Sequence, residues 1–210
     1  MQKNNRWFYR EDNSPVVLSG LGCVCCNDEE NASRLKNREI LWNDDIDESM
    51  IDVSMYILKW NAEDKALPVE VRKPIKIFIN SDGGCANTVM HVIDTILLSN
   101  TPVITIGLGK VYSAGAFLLM AGHMRYVFPH TKCLIHDGST GFIGDNSKVV
   151  DGLRFTERLN REAKEYVLAQ TNIPESEYDA NYRRDWFLDS DQMVEYGVAD
   201  AVIDNIDAIV

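Results

Sequence analysis

Between residues 74 and 135 short apolar runs alternate with helical stripes, and this alternation restricts the fold more than any other feature of the chain. Pro74-Ile75-Lys76-Ile77-Phe78-Ile79-Asn80 has the length and β-branched content of a buried strand. Ser81-Asp82-Gly83-Gly84 ends it, and Ala86, Val89, Met90, Ile93 and Leu97 then recur at helical spacing. Val103-Ile104-Thr105-Ile106 reads as the next strand and Ala114 to Ala121 as the next helix, with Tyr126-Val127-Phe128 and Cys133-Leu134-Ile135 as two more strands. Strands that alternate with helices pack as βαβ units, so the expected class is α/β with a mainly parallel sheet.

The flanks extend this pattern. Glu39-Ile40-Leu41-Trp42 reads as a short strand, and Met50, Ile51, Ser54, Ile57 and Leu58 follow at helical spacing behind Asp44-Asp45. Further on, Val149, Leu153, Leu159, Ala163, Tyr166 and Val167 mark a long helix whose other faces are charged, as expected of a helix that projects from the core. Asp189 with Gln192 has the spacing of a capping box, and Gly197 stands where a helix would stop before a last strand, Ala201-Val202-Ile203. Residues 1–32 are aperiodic and end in the acidic run Asn27 to Glu30, which suggests an arm outside a domain spanning 33–210.

A chain of 210 residues holds one core and needs neither disulfides nor a metal to fold. Its 32 acidic against 21 basic residues give a formal charge of −11, which repels nucleic acid and anionic membranes. No apolar run reaches the roughly 18 residues of a membrane span, and the polar start of the chain is no secretory signal. Five cysteines without such a signal fit reduced thiols in a cytoplasmic compartment. Cys23, Cys25 and Cys26 cluster, but no fourth ligand stands near them in sequence, so no metal is expected and the bland assignment is to loop or core.

Three places carry residues suited to chemistry. At Asn80 to Gly84, two glycines before a helix start permit positive φ and let backbone N–H groups face an oxygen anion; an ordinary strand-to-helix turn would look the same. It is not a phosphate loop, for it lacks the Gly-Lys-Ser/Thr ending and no lysine stands near it in sequence. In Gly107-Leu108-Gly109-Lys110-Val111-Tyr112-Ser113, a second glycine-rich turn, Ser113 falls between a strand and a helix of small residues, as a nucleophile does on an elbow or as an N-cap does. There the N–H of Ala114 would be free. His136 ends a strand in the loop layer of an α/β sheet, as a general base or as a solvated histidine. An imidazole base needs a carboxylate on its other nitrogen. Asp137 would face away from His136, whereas Asp185, expected in a loop between two helices, is better placed.

Together, Asn80 to Gly84, Ser113-Ala114-Gly115-Ala116-Phe117-Leu118-Leu119, Ile135-His136, Arg184-Asp185-Trp186-Phe187-Leu188 and Glu195-Tyr196-Gly197 resemble the proteolytic subunit of the Clp protease over about residues 33–205. The resemblance implies an α/β fold of repeated ββα units, as in the crotonases, with a projecting handle helix after Lys148. It implies a serine endopeptidase with Ser113 as nucleophile, His136 as base and then acid, and Asp185 as orienter. Gly84 and Ala114 would supply the oxyanion hole, and Gly83 with the segment Ser139, Thr140 and Gly141 would bind substrate. No cofactor or metal is implied. The implied partners are unfolded polypeptides, a Clp ring ATPase unfoldase and further subunits in two stacked seven-membered rings, homomeric or mixed with a paralogue. Around such rings the acidic charge becomes an acidic chamber or rim, which salt would screen.

The chain departs from the family pattern at Asp82, where the family usually has proline, and at Asp137-Gly138, where it usually has Gln-Pro. A carboxylate at residue 82 either opposes the charge that an oxyanion hole stabilises or points to solvent and caps the next helix. Two rival functions follow: a catalytically weak ring subunit that assembles with an active paralogue, and an acyl-CoA enzyme of the related crotonase fold. Peptidase activity of the protein alone separates the first rival, and tight binding of a CoA thioester would favour the second.

Overall fold

The computed structural model describes residues 28–209, so most of the expected arm, including Cys23, Cys25 and Cys26, lies outside the described residues. The helices are α1 (Asp28–Lys36), α2 (Ile51–Glu63), α3 (Ala86–Leu97), α4 (Ala114–Met120), α5 (Asn146–Gln170), α6 (Glu175–Asn181) and α7 (Ser190–Glu195). The strands are β1 (Glu39–Trp42), β2 (Ile75–Ser81), β3 (Val103–Tyr112), β4 (Met124–Val127), β5 (Lys132–Ile135), β6 (Trp186–Leu188) and β7 (Ala201–Val202). Helix α1 runs across residue 32, where the arm was expected to end. It carries no apolar stripe that periodicity could detect, yet Leu35 packs on the core.

The sheet order is β1-β2-β3-β4-β7, with β5 beside β3 and β6 beside β5. Every pairing is parallel except β5 with β6, so the parallel-dominated α/β fold expected from the alternation is what forms. Strand β2 shows why the pattern works. Ile75, Ile77 and Ile79 point into the main core beneath α2, α3 and α4, while Phe78 joins a smaller cluster with Ile106, Ile203 and Ile209 on the other face. Helix α4 is almost wholly buried, and Gly115 lets it approach β2 closely, since a Cβ there would stand 3.3 Å from the Cβ of Ser81.

Strand β3 is longer than the sequence suggests. Gly107 to Gly109 was expected to turn the chain, but β3 continues through them to Tyr112. A bulge absorbs the glycines: pairing steps from Ile79↔Gly107 to Ser81↔Val111, two residues of β2 against four of β3, and Gly109 adopts φ +65°. At this bulge β3 changes neighbour. Ile104 to Gly107 pair with β4, and Lys110 to Tyr112 pair with β5.

The capping box forms at Asp189 and Gln192, and Gly197 follows α7 at φ +69°. Helix α5 has 25 residues, about 37 Å at 1.5 Å per residue. Only Tyr166 and Val167 of it are buried. The Tyr166 hydroxyl donates to the carbonyl of Phe117 at 2.9 Å and so fastens the C-terminal half to α4. Its N-terminal half instead exposes Val150, Leu153 and Phe155.

One buried ion pair ties α2 to the β1–β2 edge. Arg38 donates to both oxygens of Asp64, at 2.5 and 2.8 Å, and the Thr101 hydroxyl donates to the same carboxylate at 2.9 Å. The hydrogen bond from Arg38, assisted by that from Thr101, holds the Asp64 carboxyl below its usual range against the opposing effect of burial. Arg38→Met would leave this charge unpaired and is expected to lower the unfolding free energy by about 3–5 kcal/mol, as urea titrations would read. The sign with pH follows from a depressed pKa: the stabilisation is full above the unfolded value, near 4, and is lost as pH falls through the lower folded value. The Arg38→Met deficit therefore shrinks in acid; a deficit independent of pH would remove Asp64 from the explanation.

Candidate active site

Strands β3, β5 and β6 lie side by side and bring the three expected residues to the same end of the sheet. Ser113 follows β3 directly and precedes α4. Its N–H donates to the carbonyl of Leu134 at 2.8 Å, which fixes it against β5. Its backbone is strained, with φ 54° and ψ −119°, and only Arg38 shares a positive φ among the described non-glycine residues. Such strain costs on the order of 1–3 kcal/mol and persists where the surroundings enforce it. The Ser113 side chain makes no capping bond to α4, so the assignment as an ordinary N-cap does not hold. What remains is a hydroxyl presented on a sharp strand-to-helix elbow.

His136 and Asp185 meet through register. Pairs Cys133↔Leu188, Leu134↔Phe187 and Ile135↔Trp186 run antiparallel, and one step further sets His136 opposite Asp185. His136 Nδ1 stands 3.5 Å from Asp185 Oδ1, with the imidazole 24% and the carboxylate 67% exposed. Asp185 was expected in a loop between helices. It does follow α6, but it leads into strand β6, and that strand sets its position. Asp137 is exposed, and Asp185 is the carboxylate that reaches the imidazole. Among the described residues the Ser113 hydroxyl makes no hydrogen bond, and 3.5 Å is longer than a formed hydrogen bond. The His136–Asp185 contact is of the loose kind that substrate tightens.

The turn after β2 lies against this serine. Gly83 and Gly84 have φ +102° and +145°. A Cβ on Gly83 would stand 2.7 Å from the Cβ of Ser113 and 3.2 Å from the nitrogen of Ala114, so only glycine allows this approach. The Gly83 N–H is already used, donating to the buried Ser81 hydroxyl at 3.0 Å. Gly84 is held differently. Ile46 donates to the Gly83 carbonyl and accepts from Cys85, both at 2.7 Å, which forms an isolated parallel bridge centred on Gly84. In such a bridge the central residue's own N–H points away from its partner, here away from Ile46. The N–H of Gly84, next to the glycine that lies against Ser113, and that of Ala114, the first residue of α4, are thus uncommitted donors. A Cβ on Gly84 would stand 2.2 Å from the Ile46 oxygen, so this residue too must be glycine.

Asp82 does not cap α3. Cys85 occupies the cap position, and Asp82 instead forms an ion pair with Lys110, which the β3 bulge brings to the turn from 28 residues away. The Cys85 thiol is held below its ordinary range by hydrogen bonds from the Thr88 side chain and backbone.

Ser139, Thr140 and Gly141 follow His136 in an exposed segment outside any helix or strand. Space is open beside Gly138, Gly141 and Gly144, with no atom within 4 Å of a built Cβ. Phe142 anchors the segment's far end by packing its ring on Gly152 of α5, where a Cβ would come within 2.6 Å. Among the described residues, no group of three or more His, Cys, Asp or Glu could hold a metal ion, and no helix is long and apolar enough to cross a membrane.

Sequence reasoning missed Ile46, Ser81 and Lys110. Ile46 acts through its backbone and leaves no chemical signature, Ser81 reads as the end of a strand, and Lys110 becomes relevant only once β3 is seen to bulge. Residues 28–206 match the family model described as Clp protease, and the chain belongs to that family.

Proposed function

We propose that this Clp-family peptidase is a serine endopeptidase that cleaves unfolded polypeptides with Ser113, His136 and Asp185. The observation that carries this reading is that three neighbouring strands bring these residues to the same end of the sheet, with strained Ser113 directly after β3 and His136 facing Asp185 where β5 and β6 pair. In the mechanism, His136 takes the Ser113 proton as the hydroxyl oxygen attacks the peptide carbonyl. The N–H groups of Gly84 and Ala114 receive the resulting oxyanion. His136, held by Asp185, then protonates the leaving amine and frees an acyl-serine, and a water activated by the same imidazole hydrolyses that ester. Substrate lies extended along Ser139 to Gly141 and Gly83, a placement supported by the open flank of that segment.

The same proposal includes the assembly. The N-terminal half of α5 exposes Val150, Leu153 and Phe155, a surface suited to a handle between two stacked seven-membered rings, of one subunit type or mixed with a paralogue. A Clp ring ATPase would unfold and deliver substrate, and its need for ATP fits a cytoplasmic location.

The test is active-site labelling. A fluorophosphonate added to the assembled protein is expected to modify Ser113, identified by peptide mass spectrometry, and to abolish hydrolysis of a fluorogenic peptide. Assembled protein that is never labelled would instead favour a structural ring subunit.

A further inference from the structure

The turn that carries the candidate oxyanion donor also carries a charge of the wrong sign. Asp82 directly precedes Gly83, whose backbone lies against Ser113 and Ala114. A lone carboxylate in that position repels the negative charge that develops on the substrate oxygen during acylation, and it acts more strongly on the transition state than on neutral bound substrate. The fold supplies an answer in three steps. The β3 bulge inserts extra residues between Gly107 and Val111. Asn80 fixes the bulge: its Oδ1 accepts from the Lys110 N–H at 3.2 Å, while its Nδ2 donates to Asn43 at 2.6 Å. Lys110 then extends its ammonium to the carboxylate of Asp82, each side chain about half exposed.

We propose that Lys110 is a positioning and countercharge residue for the active site: it pairs with Asp82, holds that carboxylate away from the N–H groups of Gly84 and Ala114, and cancels its field there. This deepens the serine-peptidase reading and rests on it. Lys110 touches neither substrate nor the reacting atoms. A bulge that only accommodated glycines would not need an ion pair at its tip, whereas a countercharge must be delivered from a neighbouring strand because the turn itself contains no cation.

The test is a double-mutant cycle on short-peptide hydrolysis by the assembled protein. Lys110→Met is expected to lower kcat about three- to tenfold with KM unchanged, because the exposed Asp82 charge opposes only the developing oxyanion. The deficit should narrow in about 1 M NaCl, where screening acts within about 3 Å. Lys110→Arg should stay within about twofold of the parent, and adding Asp82→Asn to Lys110→Met should recover most of the loss. A Lys110→Met protein as fast as its parent, or a double variant as slow as Lys110→Met, would overturn the proposal. Fluorophosphonate labelling of the unsubstituted protein separates the two levels. If Ser113 is labelled while Lys110→Met is fully active, only the countercharge role falls. If assembled protein is never labelled, the peptidase reading falls and takes this role with it.

Discussion

Ser113→Ala is expected to abolish peptide hydrolysis, lowering kcat by about a millionfold, with the melting temperature and the assembled size unchanged. The magnitude is that of removing the nucleophile from a serine–histidine pair, where the whole covalent route is lost and only transition-state binding remains. The unchanged stability has a structural reason. The deleted oxygen makes no hydrogen bond, and alanine meets the same strain at φ 54° as serine does. His136→Ala should be nearly as damaging, and the double variant no worse than either single one, because nucleophile and base act as a unit. Kinetics on a fluorogenic peptide together with size-exclusion chromatography check both halves. A Ser113→Ala protein that retains measurable turnover would mean that another residue attacks the carbonyl, and the elbow would then need a different explanation.

Much of this site was legible because its residues sit where regular structure ends. The period-two run of β2 and the helical stripe of α3 bracket Gly83 and Gly84 without ambiguity. The run Cys133 to Ile135 places His136 at a strand end, and Ser113 stands before a helix whose small residues require burial. The parts that stayed hidden depend on contacts distant in sequence. Two glycines in β3 have the composition of a turn, and only pairing with β2 reveals a bulge that delivers Lys110 to Asp82. Ile46 lies in an acidic loop and contributes two backbone hydrogen bonds, which no side-chain pattern encodes. Strand β6 has three residues, too few for alternation to register, so Asp185 was recognised as a carboxylate in the right region before its position could be explained.

That last point sets the second large effect. Asp185→Asn is expected to reduce kcat by about a thousandfold with little change in KM. The β5–β6 register should survive, since it depends on the backbone pairs Cys133↔Leu188 to Ile135↔Trp186 and not on the side chain at 185. What changes is the partner of His136 Nδ1. A carboxylate accepts from that nitrogen and stabilises the imidazolium formed when Ser113 loses its proton. A carboxamide can present its N–H₂ instead, which favours the wrong tautomer and leaves Nε2 protonated when it should be a base. The loss in enclosed triads of this kind reaches about ten-thousandfold. Here the carboxylate is two-thirds exposed and 3.5 Å from the ring, so water can orient the imidazole in part and the expected loss is smaller. Asp185→Glu provides the discriminating comparison. It keeps the charge and lengthens the side chain by one methylene, and should recover at least tenfold over Asp185→Asn in both turnover and the rate of fluorophosphonate labelling. If glutamate and asparagine are equally slow, geometry outweighs charge at this position; if asparagine is as fast as the parent, His136 takes its orientation from another group.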